Sequence, residues 1–243
     1  MSRGGPDYGN PDYTFFTVET PTSDIVATLQ GFSRLDNRGR VLWFEDWRNG
    51  VTRMIADYNN TATQVQHTVA IGTGIGNHGV VKLDPLANNG FAGVIHHFVL
   101  PVSKRIGLEI GVQLSGSNGQ ISINLEHNYA GATRNAGVLR FQSNGASIAV
   151  QTSGGDQTFY TPASFTYLQD GIISVKFVID VSTNKYVRAM IGNQEYDLSA
   201  YTLLASSNGL VGDTFISVYC EGTSATNRQP VYVAYIIISG DEP

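Results

Sequence analysis

Val175-Lys-Phe-Val-Ile-Asp-Val-Ser-Thr-Asn-Lys-Tyr-Val-Arg-Ala-Met-Ile-Gly-Asn-Gln-Glu-Tyr-Asp-Leu-Ser199 decides the fold. Residues 171–180 and 185–191 are rich in β-branched and aromatic side chains and alternate with period two, the signature of strands that bury one face. Ser182-Thr-Asn-Lys185 lies between them and Ile191-Gly-Asn-Gln194 follows. Both carry the Asn and Gly that tight turns use to reach positive φ. The stretch therefore reads as an antiparallel hairpin.

The same texture extends in both directions. Runs at 41–44, 65–71, 93–100, 106–114, 120–126, 136–142, 147–152, 214–219 and 231–238 repeat the strand pattern, with turn residues at 116–119, 143–146 and 206–209. No window of a dozen residues carries a helical apolar stripe, although residues 51–58 read as a single turn of helix. Short strands spaced by about 8–12 residues indicate a sandwich or barrel. The expectation is an all-β, antiparallel β-sandwich over residues 31–243.

Residues 1–30 differ. They repeat a Pro-Asp-Tyr unit ending at Tyr8 and again at Tyr13, with Pro21 further on. Proline disfavours helix at the residue before it, so this is extended chain. The segment reads as an N-terminal arm whose Tyr8, Tyr13, Phe15 and Phe16 need a folded surface to bury them, on this chain or a neighbouring copy; a frayed terminus is the alternative.

Composition excludes several classes. Charged residues are 14% and the net charge is -5 with no Lys/Arg cluster, so nothing is present to neutralise a phosphate backbone. Cys220 is the one cysteine, which excludes intrachain disulfides and thiolate metal sites; its alternating neighbours make it a small core residue. The opening residues lack an apolar signal core, and no run approaches the roughly 18 apolar residues that span a bilayer. Synthesis in a cytoplasm without a cleaved signal is the expectation, with neither nucleic acid nor membrane as partner.

Val175–Ser199 resembles the hairpin of concanavalin A-like lectin/glucanase jelly rolls, in which a strand ending in Asp turns into a Tyr-bearing strand. The closing Pro230-Val-Tyr-Val-Ala-Tyr-Ile-Ile-Ile-Ser239 is similar to the last core strand of that fold. Phe32-Ser-Arg-Leu-Asp-Asn-Arg-Gly-Arg-Val-Leu-Trp-Phe-Glu-Asp-Trp-Arg-Asn-Gly50 resembles the opening of phage and prophage virion proteins that carry it. The resemblance implies a lectin-like jelly roll in a virion structural protein, a capsid decoration or tail component. Its partners would be further copies of itself, other virion proteins and a host-surface glycan.

A retaining glucanase needs two carboxylates about 5–5.5 Å apart on one face of a strand. Glu45 and Asp46 are adjacent and would face opposite ways, Glu109 and Glu126 are isolated, and Glu195 with Asp197 sits beside a turn without a third acid. No nucleophile-elbow, zinc-protease or phosphate-loop motif occurs, and Gly72-Thr-Gly-Ile-Gly76 lacks dinucleotide-loop spacing. His96-His97 cannot chelate one ion from a regular strand. Calcium is the one cofactor these residue types suggest, held by Asp36, Asn37, Glu45, Asp46 and Asp57 or by the hairpin's Asp180 and Asn184; turn-shaping by the same residues is the competing reading. Glycan contacts are expected from Tyr58, Asn59, Asn60, Asn128, Tyr129, Tyr160 and Tyr167, with Trp43 and Trp47 in the core. A non-enzymatic virion structural protein leads, ahead of a cell-surface carbohydrate-binding module and a glucanase-like hydrolase.

Overall fold

The computed structural model describes residues 38–45, 47, 54–58, 64–69, 79–85, 91–98, 104–114, 120–128, 133–142, 147–161, 172–207, 214–221 and 230–243. The arm residues Tyr8, Tyr13, Phe15 and Phe16 lie outside them. The described strands are β1 (Arg40–Glu45), β2 (Ile55–Tyr58), β3 (Gln64–Val69), β4 (Gly79–Asp84), β5 (Phe91–Phe98), β6 (Arg105–Leu114), β7 (Gln120–Asn128) and β8 (Thr133–Gln142). They continue with β9 (Ser147–Thr152), β10 (Gly155–Tyr160), β11 (Ile173–Asp180), β12 (Lys185–Ile191), β13 (Gln194–Asp197), β14 (Leu204–Ser207), β15 (Thr214–Glu221) and β16 (Val231–Gly240).

Two eight-stranded antiparallel sheets result. Sheet A runs β13-β12-β11-β6-β16-β4-β3 with β1 also on β16, and sheet B runs β10-β9-β8-β7-β15-β5-β2 with β14 also on β8. Each extra strand shares one side of a long partner. β16 pairs with β4 at Val231–Val233 and with β1 from Ile236 to Gly240, and its register shifts at Val233/Tyr235 between the two. β8 pairs with β14 at 133–136 and with β9 at 139–142.

The alternation read from sequence places the core. Leu108, Ile110, Phe177, Ile179, Val233 and Ile236 of sheet A are fully buried in one cluster with Ile123, Leu125, Leu139, Ile216 and Val218 of sheet B. Each such side chain contributes about 1.5–3 kcal/mol. Cys220 belongs to this cluster, and burial pushes its thiol up to about 12, so it is a core residue as expected.

The hairpin stands as read, with β11 on β12 and a turn through Asn184 at φ 55°. Asp180 shapes it: its Oδ1 accepts from the Ser182 and Thr183 amides (2.9 and 3.1 Å) and the Ser182 hydroxyl (2.6 Å), and its Oδ2 accepts from Arg105 Nε at 3.2 Å. Burial alone would raise this carboxyl's pKa, but those hydrogen bonds outweigh it and the value falls below the ordinary one. A lowered folded-state pKa stabilises the fold above the unfolded-state value near 4, and that stability is lost as pH falls through the folded value. Asp180→Ala is therefore expected to lower the melting temperature at pH 7, with the deficit shrinking below about pH 4; a pH-independent deficit in calorimetry would contradict this.

Two expectations change. Residues 55–58 form β2 and not a helical turn, because four residues pair with β5 from Ile95 to Ala92 and tertiary pairing outweighs so short a local preference. Trp47 is fully buried, but Trp43 is only partly so, stacked on His96 at 4.5 Å between centroids where β1 meets the rim of the core.

Candidate functional site

Alternation leaves each sheet an outer face, and the two are chemically opposite. On sheet A the outward Glu109, Lys176, Val178 and Ile237 are buried, as is Tyr235. Tyr235 Oη is hydrogen-bonded to Glu109 Oε1 at 3.0 Å and Ser174 Oγ at 2.5 Å, and burial followed by the Glu109 charge drives its pKa well up. Beside it Glu242 accepts from Lys176 Nζ at 2.8 Å, from Arg188 Nη2 at 2.6 Å and from the Ser239 hydroxyl. Asp241, in left-handed conformation at φ 55°, folds this carboxylate back over Gly107, where a Cβ would stand 2.8 Å from Glu242 Oε1. This face is closed and its charges are matched internally.

The outer face of sheet B is partly open. Ile121, Ile123 and Leu125 face the core, so Gln120, Ser122, Asn124 and Glu126 of β7 face outward. By register they adjoin Glu221, Tyr219, Ser217 and Phe215 of β15. The half-buried Tyr219 ring lies across β5 at Gly93, where a Cβ would come within 2.3 Å of it, and meets Phe91 edge-on at 5.4 Å. Only glycine leaves room for the ring there. Phe215 is flanked by His97 at 5.2 Å and by the Arg134 guanidinium, 5.9 Å from its centroid, which also pairs with Glu126. Between the two aromatic groups Asn124 donates to Ser217 Oγ at 2.9 Å, and beyond them Arg140 reaches Asp156 at 3.3 Å. From β5 to β10 this row crosses six strands, about 24 Å. Ser122, Ser217 and Glu126 are buried, and the partly exposed rings with the Asn124 amide and the Arg134 and Arg140 guanidinium groups can stack on a pyranose face and hydrogen-bond its hydroxyls.

Of the residues named from sequence, Asn128 shares the outward parity of this row at the end of β7, and Tyr160 lies at an edge. Tyr160, half-buried, packs with Phe159 against Tyr196 (5.8 and 5.4 Å between centroids) and the core, sealing the gap between edge strands β10 and β13. Tyr58 and Asn128 are placed by their backbones, opposite Ala92 and Arg134. Asn59, Asn60, Tyr129 and Tyr167 lie outside the described residues. Of the calcium candidates, Asp36, Asn37 and Asp46 also lie outside, and Asp57 is placed by its backbone in β2. Glu45 is buried and accepts the amide of Trp47 at 2.9 Å, supporting a left-handed turn at that residue (φ 61°). Among the described residues no three His, Cys, Asp or Glu side chains converge to hold a metal. Glu195 pairs with Arg38, and the exposed Asp197 accepts the Ser199 amide at 2.9 Å. The sequence reading missed Phe91, Phe215, Tyr219, Asn124 and Arg140; the signal was their outward parity, which needs the register to become a surface.

No family model matches the chain, and no curated protein does. Solved structures share its fold. A sialidase superposes with TM-score 0.56 at 10% identity over 84% of this chain, which spans 19% of that protein. The laminarinase catalytic domain from Thermotoga maritima gives 0.53 at 9% identity, covering 85% of this chain and all of that one. Cellulose induced protein Cip1 gives 0.50 at 12%, covering 81% and 96%. At such identities the likeness establishes the architecture: the chain is a lectin/glucanase-like jelly roll.

Proposed function

We propose that the chain is a non-enzymatic carbohydrate-binding jelly roll that reads an extended glycan on the outer face of sheet B. One observation carries this: half-buried aromatic rings of β5 and β15, one seated over Gly93, flank the paired Asn124 and Ser217 on that face. Binding without hydrolysis is supported by β7, whose outward row Gln120, Ser122, Asn124 and Glu126 offers one carboxylate, already paired with Arg134, where retention needs two. The virion setting suggested by residues 32–50 is kept as the context of that binding, in which the jelly roll is displayed in many copies and meets a host-surface glycan. That setting is supported by the opening segment and the arm.

Affinity electrophoresis on a panel of β-glucans and bacterial surface polysaccharides tests the binding. The wild type should be retarded by at least one polymer. Tyr219→Ala and Phe215→Ala should each weaken that retardation by about tenfold or more, as expected for central aromatic anchors. Tyr196→Ala, at the sealed edge, should leave it unchanged. No reducing sugar should be released. A protein retarded by none of the polymers, or equally retarded after both face substitutions, overturns the proposal.

A further inference from the structure

The aromatic rings on the outer face of sheet B fall into two pairs. Tyr219 meets Phe91 at one end and Phe215 meets His97 at the other, each pair joining β15 to β5. Tyr219 and Phe215 are four residues apart on one strand, so the pairs stand about 13 Å apart along it. The ground between them is apolar. Ile95 of β5 turns outward there, since Ala92 and Val94 face the core, and it stands opposite Ser217 on one side and Ile55 of β2 on the other. Ile55 is 61% exposed, the one large apolar side chain left in water among the described residues. A single exposed isoleucine would mean little, but this one continues a strip that already holds Ile95 and two pairs of rings.

We infer, resting on the glycan-binding reading of this face, that the ligand is an uncharged linear oligosaccharide lying along β5 and β15, and not across the sheet toward β10. It is a trisaccharide or longer, because one sugar ring cannot touch both aromatic pairs. Its outer rings stack on Tyr219 with Phe91 and on Phe215 with His97, and a central ring covers Ile95 and Ile55. Stacking needs flat apolar surface, and beyond β7 the described outward side chains offer none: Val138 and Arg140 on β8, Ala149 on β9 and Thr158 on β10 stand in line without a ring. Asn124, whose amide donates to Ser217 Oγ at 2.9 Å, borders the middle of the strip and can reach the hydroxyls of the central sugar. Charge favours an uncharged chain. Arg134 and Arg140 are matched by Glu126 and Asp156, and Glu221, opposite Phe91, adds a carboxylate at one end. An acidic sugar would have to displace a carboxylate to gain a cation here, while facing Glu221.

Affinity gels holding laminarin or lichenan, both uncharged β-glucans, or the acidic alginate test this with the full chain. Ile55→Ser and Thr158→Arg are compared with the wild type; both positions are exposed, so both variants should keep their fold. Ile55→Ser removes the middle of the strip and should weaken retardation by a β-glucan about fivefold. Thr158→Arg sets a bulky side chain in the path of a glycan crossing to β10 and should change nothing. Weakening by Thr158→Arg, or none by Ile55→Ser, overturns the inference and leaves glycan binding standing. Retardation by alginate alone overturns the uncharged class. A wild type held back by none of the three overturns the inference, and one held back by no polymer of the wider panel overturns the glycan-binding reading as well. Calorimetry with laminari- and cello-oligosaccharides measures the length. The tetrasaccharide should bind about tenfold more tightly than the disaccharide, and Tyr219→Ala or Phe215→Ala should each erase that advantage. A disaccharide bound as tightly as the tetrasaccharide overturns the inference.

Discussion

Replacing Tyr186 by Phe is expected to destabilise the protein by about 2–5 kcal/mol, although one oxygen atom is all that changes. Tyr186 belongs to β12 in sheet A, yet its side chain crosses the core to sheet B. There its hydroxyl accepts from the Val138 amide at 2.8 Å and donates to the Gln151 carbonyl at 2.7 Å. Those two backbone groups sit where the β8–β9 ladder ends, one residue before Leu139 pairs with Val150. The phenol therefore takes the place of a missing rung at the point where β8 passes from β9 to β14. Phenylalanine keeps the ring and leaves a buried donor and a buried acceptor without partners, each worth about 1–3 kcal/mol. For a chain of this size that corresponds to a fall in melting temperature of roughly 10 °C. Tyr196→Phe is the control, because that hydroxyl bonds Gln194 in an exposed position and its loss should cost under about 0.5 kcal/mol. Equal effects of the two substitutions in thermal unfolding would refute the special role of Tyr186.

Glu242→Gln should cost about 3–5 kcal/mol, the usual penalty for stranding buried charge. The carboxylate is fully buried against Lys176 and Arg188, whose side chains are 3% and 6% exposed, so solvent screens neither cation. The design of the cluster makes a sharper prediction than the single substitution. Lys176→Met, Arg188→Met and Glu242→Leu together should recover most of the loss, since apolar replacements of a whole buried ionic group are often neutral or stabilising. Chemical denaturation of the single and triple variants distinguishes the outcomes. A triple variant less stable than the single would show that the charges contribute net stability and not only mutual neutralisation.

The strongly periodic parts of the fold were legible in the sequence. Strands β6, β7, β11, β12 and β16 are rich in β-branched residues and bounded by turn chemistry, and the hairpin from Ile173 to Ile191 appears where its pattern placed it. β4, β10, β13 and β14 escaped notice, and two of them exist only through a neighbour. β10, Gly155-Asp-Gln-Thr-Phe-Tyr160, and β13, Gln194-Glu-Tyr-Asp197, carry little intrinsic strand character and exist because an edge offered them hydrogen bonds. The candidate face was hidden for a related reason. Phe91, Asn124, Arg140 and Tyr219 are scattered over some 130 residues and become one surface only through the β5–β15–β7–β8 pairing. Tyr160 shows the converse: an aromatic in polar sequence suggests a ligand contact, and in the fold its ring packs on Tyr196 at an edge of the sandwich.

The pairing of β1 with β16 sets Arg40 opposite Gly240, so the jelly roll's two ends lie side by side on sheet A. A connection made directly through the end of either strand is therefore made at that sheet. The outer face of sheet B then points away from the attachment, on the far side of a sandwich whose two sheets are about 10 Å apart. A module moored in this way presents the same surface outward whether it is fixed by its first strand, by its last, or by both. It can be added to a larger body through either strand without turning the half-buried rings of sheet B toward its support.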